Sequence, residues 1–142
     1  MESKSTRKPK KPLISISIPI FNEEKNLSFL YNRLTKLADT LEARYDLEFV
    51  FSDNHSDDNT WRILAELAEQ DSRVKALRFS KNFGFQRSIL ANYMHTQGDA
   101  VMQLDADLQD PPELLEVFLE EWENGYLVVY GIRKKRMESY LL

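Results

Sequence analysis

Short β-branched runs alternate with stretches of helical periodicity along nearly the whole chain, and this alternation restricts the fold more than any other feature. Residues 13–19 read Leu-Ile-Ser-Ile-Ser-Ile-Pro, a β-branched run stopped by proline. Similar runs occupy 47–53, 74–80, 100–104 and 127–132. Between them the period changes from two to about 3.6. A helix over 23–44 would carry Leu27, Leu30, Leu34, Leu37 and Leu41 on one face. Further helices are expected over 60–70, where Ser56 to Thr60 offer capping residues, and over 86–95, packing Ile89, Leu90, Tyr93 and Met94. A last helix is expected over 111–124, stopped by Gly125. Repeated strand–helix units predict an α/β fold: a Rossmann-like, mostly parallel sheet with helices on both faces and right-handed crossovers.

A chain of 142 residues fits one domain with a real core. It has no cysteine, which excludes disulfides, thiolate metal sites and cysteine nucleophiles. His55 and His95 are far apart and do not suggest zinc. No apolar run approaches the roughly 20 residues that span a bilayer, and no signal peptide is visible. Residues 1–12 hold Lys4, Arg7, Lys8, Lys10 and Lys11 against Glu2 alone and are expected to be a basic, disordered tail, weakly drawn to anionic lipid. The body, taken as residues 13–142, is acidic, which argues against nucleic acid as a partner.

In open α/β sheets, ligands sit beyond the carboxyl ends of the strands, at the switch point of the strand order. The unusual polar residues of this chain lie at those ends: Asn22 and Glu23 after the first strand, Asp53 and Asn54 after the second, Asp105 and Asp107 after the fourth. With strand order 3-2-1-4 the three ends are neighbours. Residues i and i+2 of a strand share a face, so Asp105 and Asp107 are expected to converge on one point. Two hard oxygen donors suit Mg²⁺ or Mn²⁺ completed by substrate phosphates. The same residues would equally serve as caps or solvated acids. An EF-hand loop fits poorly, because Asp110 stands where its glycine is needed.

Three motifs, in this order, carry a family resemblance. They are Ile18-Pro19-Ile20-Phe21-Asn22-Glu23-Glu24, then Ser52-Asp53-Asn54-His55-Ser56-Asp57-Asp58-Asn59-Thr60, then Ser80-Lys81-Asn82-Phe83-Gly84 with Asp105-Ala106-Asp107-Leu108-Gln109-Asp110-Pro111-Pro112-Glu113. Together they resemble the inverting family 2 glycosyltransferases of GT-A fold, above all those that move a sugar from a nucleotide onto a polyprenyl phosphate such as dolichyl or undecaprenyl phosphate. The resemblance implies a UDP- or GDP-sugar donor bound by Pro19, Phe21, Glu23, Asp53, Asp105 and Gln109. It implies catalytic roles for Asp105 and Asp107, Mg²⁺ or Mn²⁺ on Asp107, and an acceptor phosphate near Arg133 and Arg136. It also implies work in cell-envelope polysaccharide synthesis, in the cytoplasm at the inner face of a membrane. Two departures stand out. Asn54 and His55 replace the family's Asp-Gly, and histidine takes a positive φ less readily than glycine. The family's catalytic domain also runs past residue 142, so residues 13–142 are expected to be its donor-binding part, cut short at the C-terminus. A nucleotide-sugar-binding fragment without turnover is the alternative. A phosphoacceptor receiver domain and a sugar nucleotidyltransferase fit less well. The first needs an acidic pair directly after strand one, the second a glycine-rich basic loop there.

Overall fold

The computed structural model describes residues 10–132, in the order β1 Leu13–Ile20, α1 Leu27–Leu41, β2 Asp46–Asp53, α2 Thr60–Gln70, β3 Val74–Arg78, α3 Phe85–His95, β4 Ala100–Gln103 and α4 Leu114–Glu123. The four strands form one sheet of order β3-β2-β1-β4, and every pairing is parallel. The chain divides into two compact units, Met1–Pro112 and Glu113–Leu142.

In the first unit both faces of β1 are buried, as a parallel strand requires. Ile14, Ile16 and Ile18 share a face with Phe49 and Phe51 of β2 in register. All five are fully buried, each contributing about 1.5–3 kcal/mol of hydrophobic stabilisation. α1 adds the expected leucine stripe, Leu27 to Leu41, all buried. β1-α1-β2 and β2-α2-β3 step across the sheet in one direction, so right-handed crossovers put α1 and α2 on one face. The β3-to-β4 connection reverses direction and puts α3 on the other.

That other face is polar. Ser15 and Ser17 of β1 lie in register with Glu48 and Val50, and Ser52 Oγ donates to the Ser88 carbonyl of α3 at 3.2 Å. α3 answers with polar residues: Ser88 and Asn92 are its buried pair. The expectation that Leu90, Tyr93 and Met94 pack inward is therefore corrected. They are 59%, 45% and 76% exposed, because the helix is held to the sheet on its Ser88–Asn92 side, where the Ser88 carbonyl accepts from Ser52 Oγ. At the foot of α3, Gly98 lies so close to β1 that a Cβ would come within 2.5 Å of Ser15 Oγ and 2.7 Å of Ser15 N. No side chain fits there.

In the second unit, α4 buries Leu115 and Leu119 one turn apart, and Gly125 ends it with φ +98°. The strand expected over 127–132 does not form. The segment has no ladder partner among the described residues, and Leu127, Val128, Tyr130 and Ile132 are largely exposed. Alternating apolar residues make a strand only where a neighbouring strand accepts their backbone groups. α1 starts at Leu27 rather than at 23, because Glu23 closes a turn whose carbonyl accepts from Asn26 and Leu27 N–H.

Candidate functional site

At the carboxyl ends of the strands, backbone and side-chain hydrogen bonds tie three loops together. Asn22 takes φ +54°; its N–H donates to Ser56 Oγ at 2.8 Å, and its Oδ1 accepts from Asp57 N–H at 2.9 Å. Glu23 N–H donates to Thr60 Oγ1 at 2.8 Å. Glu24 Oε2 accepts from both Asn59 N–H and Asn59 Nδ2. The loop after β1 is thus laced to the loop after β2. Asp58 takes part by accepting from the Glu24 and Thr60 N–H groups. Burial pushes its carboxyl up, but the hydrogen bonds from Thr60 and Glu24 outweigh burial and hold it below the usual aspartate range. Ser56, expected as a helix cap, instead bridges Asp53 and Asn22.

Asn54 ties the second loop to the third. Its Nδ2 donates to Asn82 Oδ1 at 2.9 Å and its Oδ1 accepts from Phe83 N–H at 2.8 Å. Both ends of this amide are engaged within the protein, so Asn54 sets the position of residues 82–84. Asn82 Oδ1 also accepts from Gly84 N–H, and Gly84, at φ +91°, turns the chain into α3. Beside it, His55 adopts φ +65° with Nδ1 3.1 Å from the Phe79 carbonyl. Histidine therefore holds a left-handed position here, despite the cost expected for it.

Asp53 is fully buried at the end of β2. Its Oδ1 accepts from Ser56 N–H at 3.1 Å and from Ser56 Oγ at 2.5 Å. Its Oδ2 has no hydrogen-bond donor among the described residues; Arg78 Nε lies 3.3 Å away, an ion-pair distance without hydrogen-bond alignment. Arg78 is itself stacked 5.3 Å from the Trp61 ring centre.

A pocket of about 470 Å³ opens among these loops. The end of β1 supplies Pro19, Ile20, Phe21 and Glu23, and the loop after β2 supplies Asn54. The turn into α3 supplies Asn82, Gly84, Phe85 and Ser88. The loop after β4 supplies Asp105, Ala106 and Asp107. Pro19, Phe21, Glu23, Asp105 and Asp107 are thereby brought together as expected from the sequence. Asp53 stands beside this lining rather than in it. Gln109 is not on the wall either: its N–H donates to Asp107 Oδ1 at 3.1 Å. Arg133 and Arg136 lie outside the described residues.

The two aspartates do not converge by strand alternation. β4 ends at Gln103, and a turn places them, with Leu108 at φ +62°. A positive φ is costly for a bulky residue and is held only where its surroundings impose it. The lining residues Asn82, Phe85 and Ser88 were not evident from sequence spacing. Asn82 belongs to the motif that opens α3; Phe85 and Ser88 follow it and carried no signal of their own.

Two carboxylates on one wall are a fitting donor set for a hard divalent cation. Among the described residues no cluster of three or more His, Asp or Glu would hold an ion unaided. Such an ion would need oxygens from a ligand as well, and a diphosphate offers them.

Comparison with known proteins agrees with this geometry. The family described as "Glycosyl transferase family 2" matches residues 15–141. An uncharacterized glycosyltransferase of Bacillus subtilis (strain 168), YkcC, is 44% identical over 122 residues, 86% of this chain and 37% of the relative. The undecaprenyl-phosphate 4-deoxy-4-formamido-L-arabinose transferase of Edwardsiella ictaluri (strain 93-146) is 39% identical over 128 residues, 89% of this chain and 39% of that protein. The chain thus spans under half the length of these relatives. Among solved structures, the mannosyltransferase PcManGT from Pyrobaculum calidifontis in complex with GDP-Man and Mn²⁺ aligns with TM-score 0.63 at 19% identity, over 80% of this chain and 33% of that one. S. aureus TarS in complex with UDP-GlcNAc aligns with TM-score 0.61 at 21% identity, over 80% and 31%. These two likenesses establish the GT-A fold.

Proposed function

Because the chain belongs to glycosyl transferase family 2, we propose that this pocket is the donor side of a glycosyltransferase acting on a polyprenyl phosphate. The observation that carries the reading is the meeting of Asp105 and Asp107 with Pro19, Phe21 and Glu23 on one pocket. The exposed Phe21 ring offers a face for a base or ribose. Asp53 Oδ2, buried and short of a donor, suits a base N–H or ribose hydroxyl at the pocket's inner edge. Asp105 lies toward the ribose or sugar, Gln109 beside the sugar, and Asp107 toward the diphosphate. The relative from Edwardsiella ictaluri supports a lipid-phosphate acceptor, and the complexes of PcManGT and TarS support a UDP- or GDP-sugar donor.

The reaction is a single displacement. An acceptor phosphate oxygen attacks the anomeric carbon, the bond from that carbon to the diphosphate breaks, and its electron pair leaves with the nucleoside diphosphate. An ionised phosphate oxygen has no proton to lose, so this acceptor asks little of a general base. Asp107, with Asp105 nearby, would hold Mg²⁺ or Mn²⁺, which would neutralise charge on the departing diphosphate. The chain's own part is to fix that geometry in advance. The Gln109 N–H sets the Asp107 carboxylate, Ser56 sets Asp53, and Asn54 sets the wall at Asn82.

Calorimetry with UDP, GDP and their sugars, with and without Mn²⁺, tests this reading. Metal-dependent binding is expected, and Asp107→Ala is expected to remove most of the metal-dependent part with the fold intact. A folded sample that binds none of these nucleotides would overturn it. A second reading, a donor-binding unit without turnover, is favoured by one observation: among the described residues no Lys, Arg or His lines the pocket. Transfer of labelled sugar to polyprenyl phosphate by the 142-residue chain separates the two.

A further inference from the structure

α3 is turned inside out relative to an ordinary amphipathic helix. Its polar Ser88 and Asn92 face the sheet, and Leu90, Tyr93 and Met94 project outward at i, i+3 and i+4. At the N-terminal end of the same helix, Lys81 Nζ and Arg87 Cζ stand 5.2 and 5.9 Å from the centre of one ring, that of Phe83. Neither cation pairs with a carboxylate among the described residues. The neighbouring cations differ: Arg73, Lys75 and Arg78 are matched to Asp71, Glu48 and Asp53. Residues 72–98 contain no Asp or Glu, in a chain whose net charge is −4. An exposed apolar face, unmatched positive charge and the absence of acid thus coincide on one element.

We propose that the outward face of α3, with Lys81 and Arg87 at its end, docks on an anionic lipid surface. An apolar stripe headed by basic residues is the chemistry of an interfacial helix: the side chains enter the headgroup boundary and the cations meet lipid phosphates. Phe83, its ring centre 5.2 and 5.9 Å from the two cations, adds an aromatic ring beside them. Gly84, Phe85 and Ser88, at the start of this helix, also line the pocket. Docking by α3 therefore brings the pocket mouth to the lipid surface, where a lipid-borne phosphate is met. Only that consequence rests on the proposed function; the docking itself does not.

Vesicle flotation with the 142-residue chain tests the proposal. The vesicles are phosphatidylcholine alone or mixed equally with phosphatidylglycerol, free of polyprenyl phosphate and of nucleotide. A background in which Lys4, Arg7, Lys8, Lys10 and Lys11 are glutamine removes the terminal charge. In that background partitioning should be at least about tenfold stronger on the anionic vesicles and should weaken with salt. Lys81→Gln and Arg87→Gln should each reduce it about fivefold. The pair Leu90→Ser with Met94→Ser should reduce it by more than tenfold, while leaving thermal unfolding unchanged at positions so exposed. No partitioning, or partitioning indifferent to all four substitutions, would overturn the proposal. So would a concentration-dependent dimer, seen by sedimentation, that the Leu90 and Met94 changes dissolve, since the face would then belong to a second copy. Nucleotide binding is measured separately, so failure of either result leaves the other standing.

Discussion

β2 carries a buried carboxylate near each end, and the two are used in opposite ways. Glu48 has its oxygens occupied: Ser15 Oγ donates at 2.6 Å, Gln97 N–H at 2.6 Å, and Lys75 Nζ lies 2.5 Å away. Asp53 is buried more completely, yet only one of its oxygens is hydrogen-bonded. The closed network at the amino end locks the α3–β4 turn to the sheet, through Gln97 on Glu48 and Gly98 on Ser15. At the carboxyl end Asp53 Oδ2 has the Arg78 guanidinium at ion-pair distance but no hydrogen bond, so it can still accept from a donor outside the protein. A buried carboxylate with every oxygen hydrogen-bonded or salt-bridged closely is a structural device; one with an oxygen short of a hydrogen bond beside a pocket is suited to binding.

The sharpest way to break the comparison is to remove each carboxylate in turn. Glu48→Ala strands Lys75, the Ser15 hydroxyl and the Gln97 N–H, and should cost about 3–5 kcal/mol, with a fall of about 10 °C or more in Tm. Nucleotide binding by the folded fraction should survive. The same residue sets a pH dependence. Burial pushes the Glu48 carboxyl up, but hydrogen bonds from Lys75, Ser15 and Gln97, with the Lys75 charge, hold it below the ordinary value of 4.5. A depressed carboxylate adds stability that is present above the unfolded value and lost as pH falls toward the folded one. Asp71, held at about 2 chiefly by the Arg73 hydrogen bonds, adds a second component lost between about pH 4 and 2. Chemical denaturation from pH 7 to pH 2.5 should show the Glu48 component vanish in Glu48→Gln and the Asp71 component remain.

Asp53→Asn reverses the pattern. Asn keeps an acceptor for Ser56 but gives up the ion pair with Arg78, whose half-exposed guanidinium can turn to solvent, so the fold should lose no more than about 1–2 kcal/mol. Nucleoside diphosphate binding should weaken about 10- to 100-fold, the worth of a hydrogen bond to a charged group. If calorimetry finds unchanged affinity, Asp53 belongs with Glu48 as a structural carboxylate and the comparison collapses.

Asn54→Ala probes the link between the two loops rather than either carboxylate. It leaves Phe83 N–H without its acceptor, takes one of two donors from Asn82 Oδ1, and should cost about 1–2 kcal/mol. Because the loss falls on the pocket wall, hydrogen exchange should quicken at residues 82–84 before anywhere else. Uniform quickening would mean that Asn54 supports the core and not the wall.

What could be read from sequence follows the same division. The strands and the acids at their ends were legible, because apolar period and strand-end position are local properties of a chain; the order β3-β2-β1-β4 is not local and entered as a premise, which the sheet fulfils. The leucine face of α1 was legible for the same reason. The Asn54–Asn82 link was not, since two amides 28 positions apart carry no period. The inversion of α3 was hidden too: Leu90, Tyr93 and Met94 give a helical apolar pattern whichever way the helix faces, and only the serines of β1 and β2 decide it. The strand expected over 127–132 failed for want of a partner, which no alternation pattern contains.

The smallest effect is expected at His55, where the turn between Asp53 and Ser56 demands φ +65°. Restoring glycine relieves roughly 1 kcal/mol of left-handed strain. It also loses the contact from Nδ1 to the Phe79 carbonyl, exposed and worth about 0.5–1 kcal/mol, and adds about 0.5–1 kcal/mol of unfolded-chain entropy. These terms nearly cancel, so His55→Gly should change stability by less than about 1 kcal/mol, a shift of under about 4 °C in Tm. Nucleotide affinity should stay within about twofold, because the turn that presents Asp53 depends on backbone shape and not on the imidazole. A loss beyond about 2 kcal/mol, or a tenfold loss of affinity, would show that the ring itself braces the loop, and that the open network at this end of the sheet extends one residue further than its hydrogen bonds indicate.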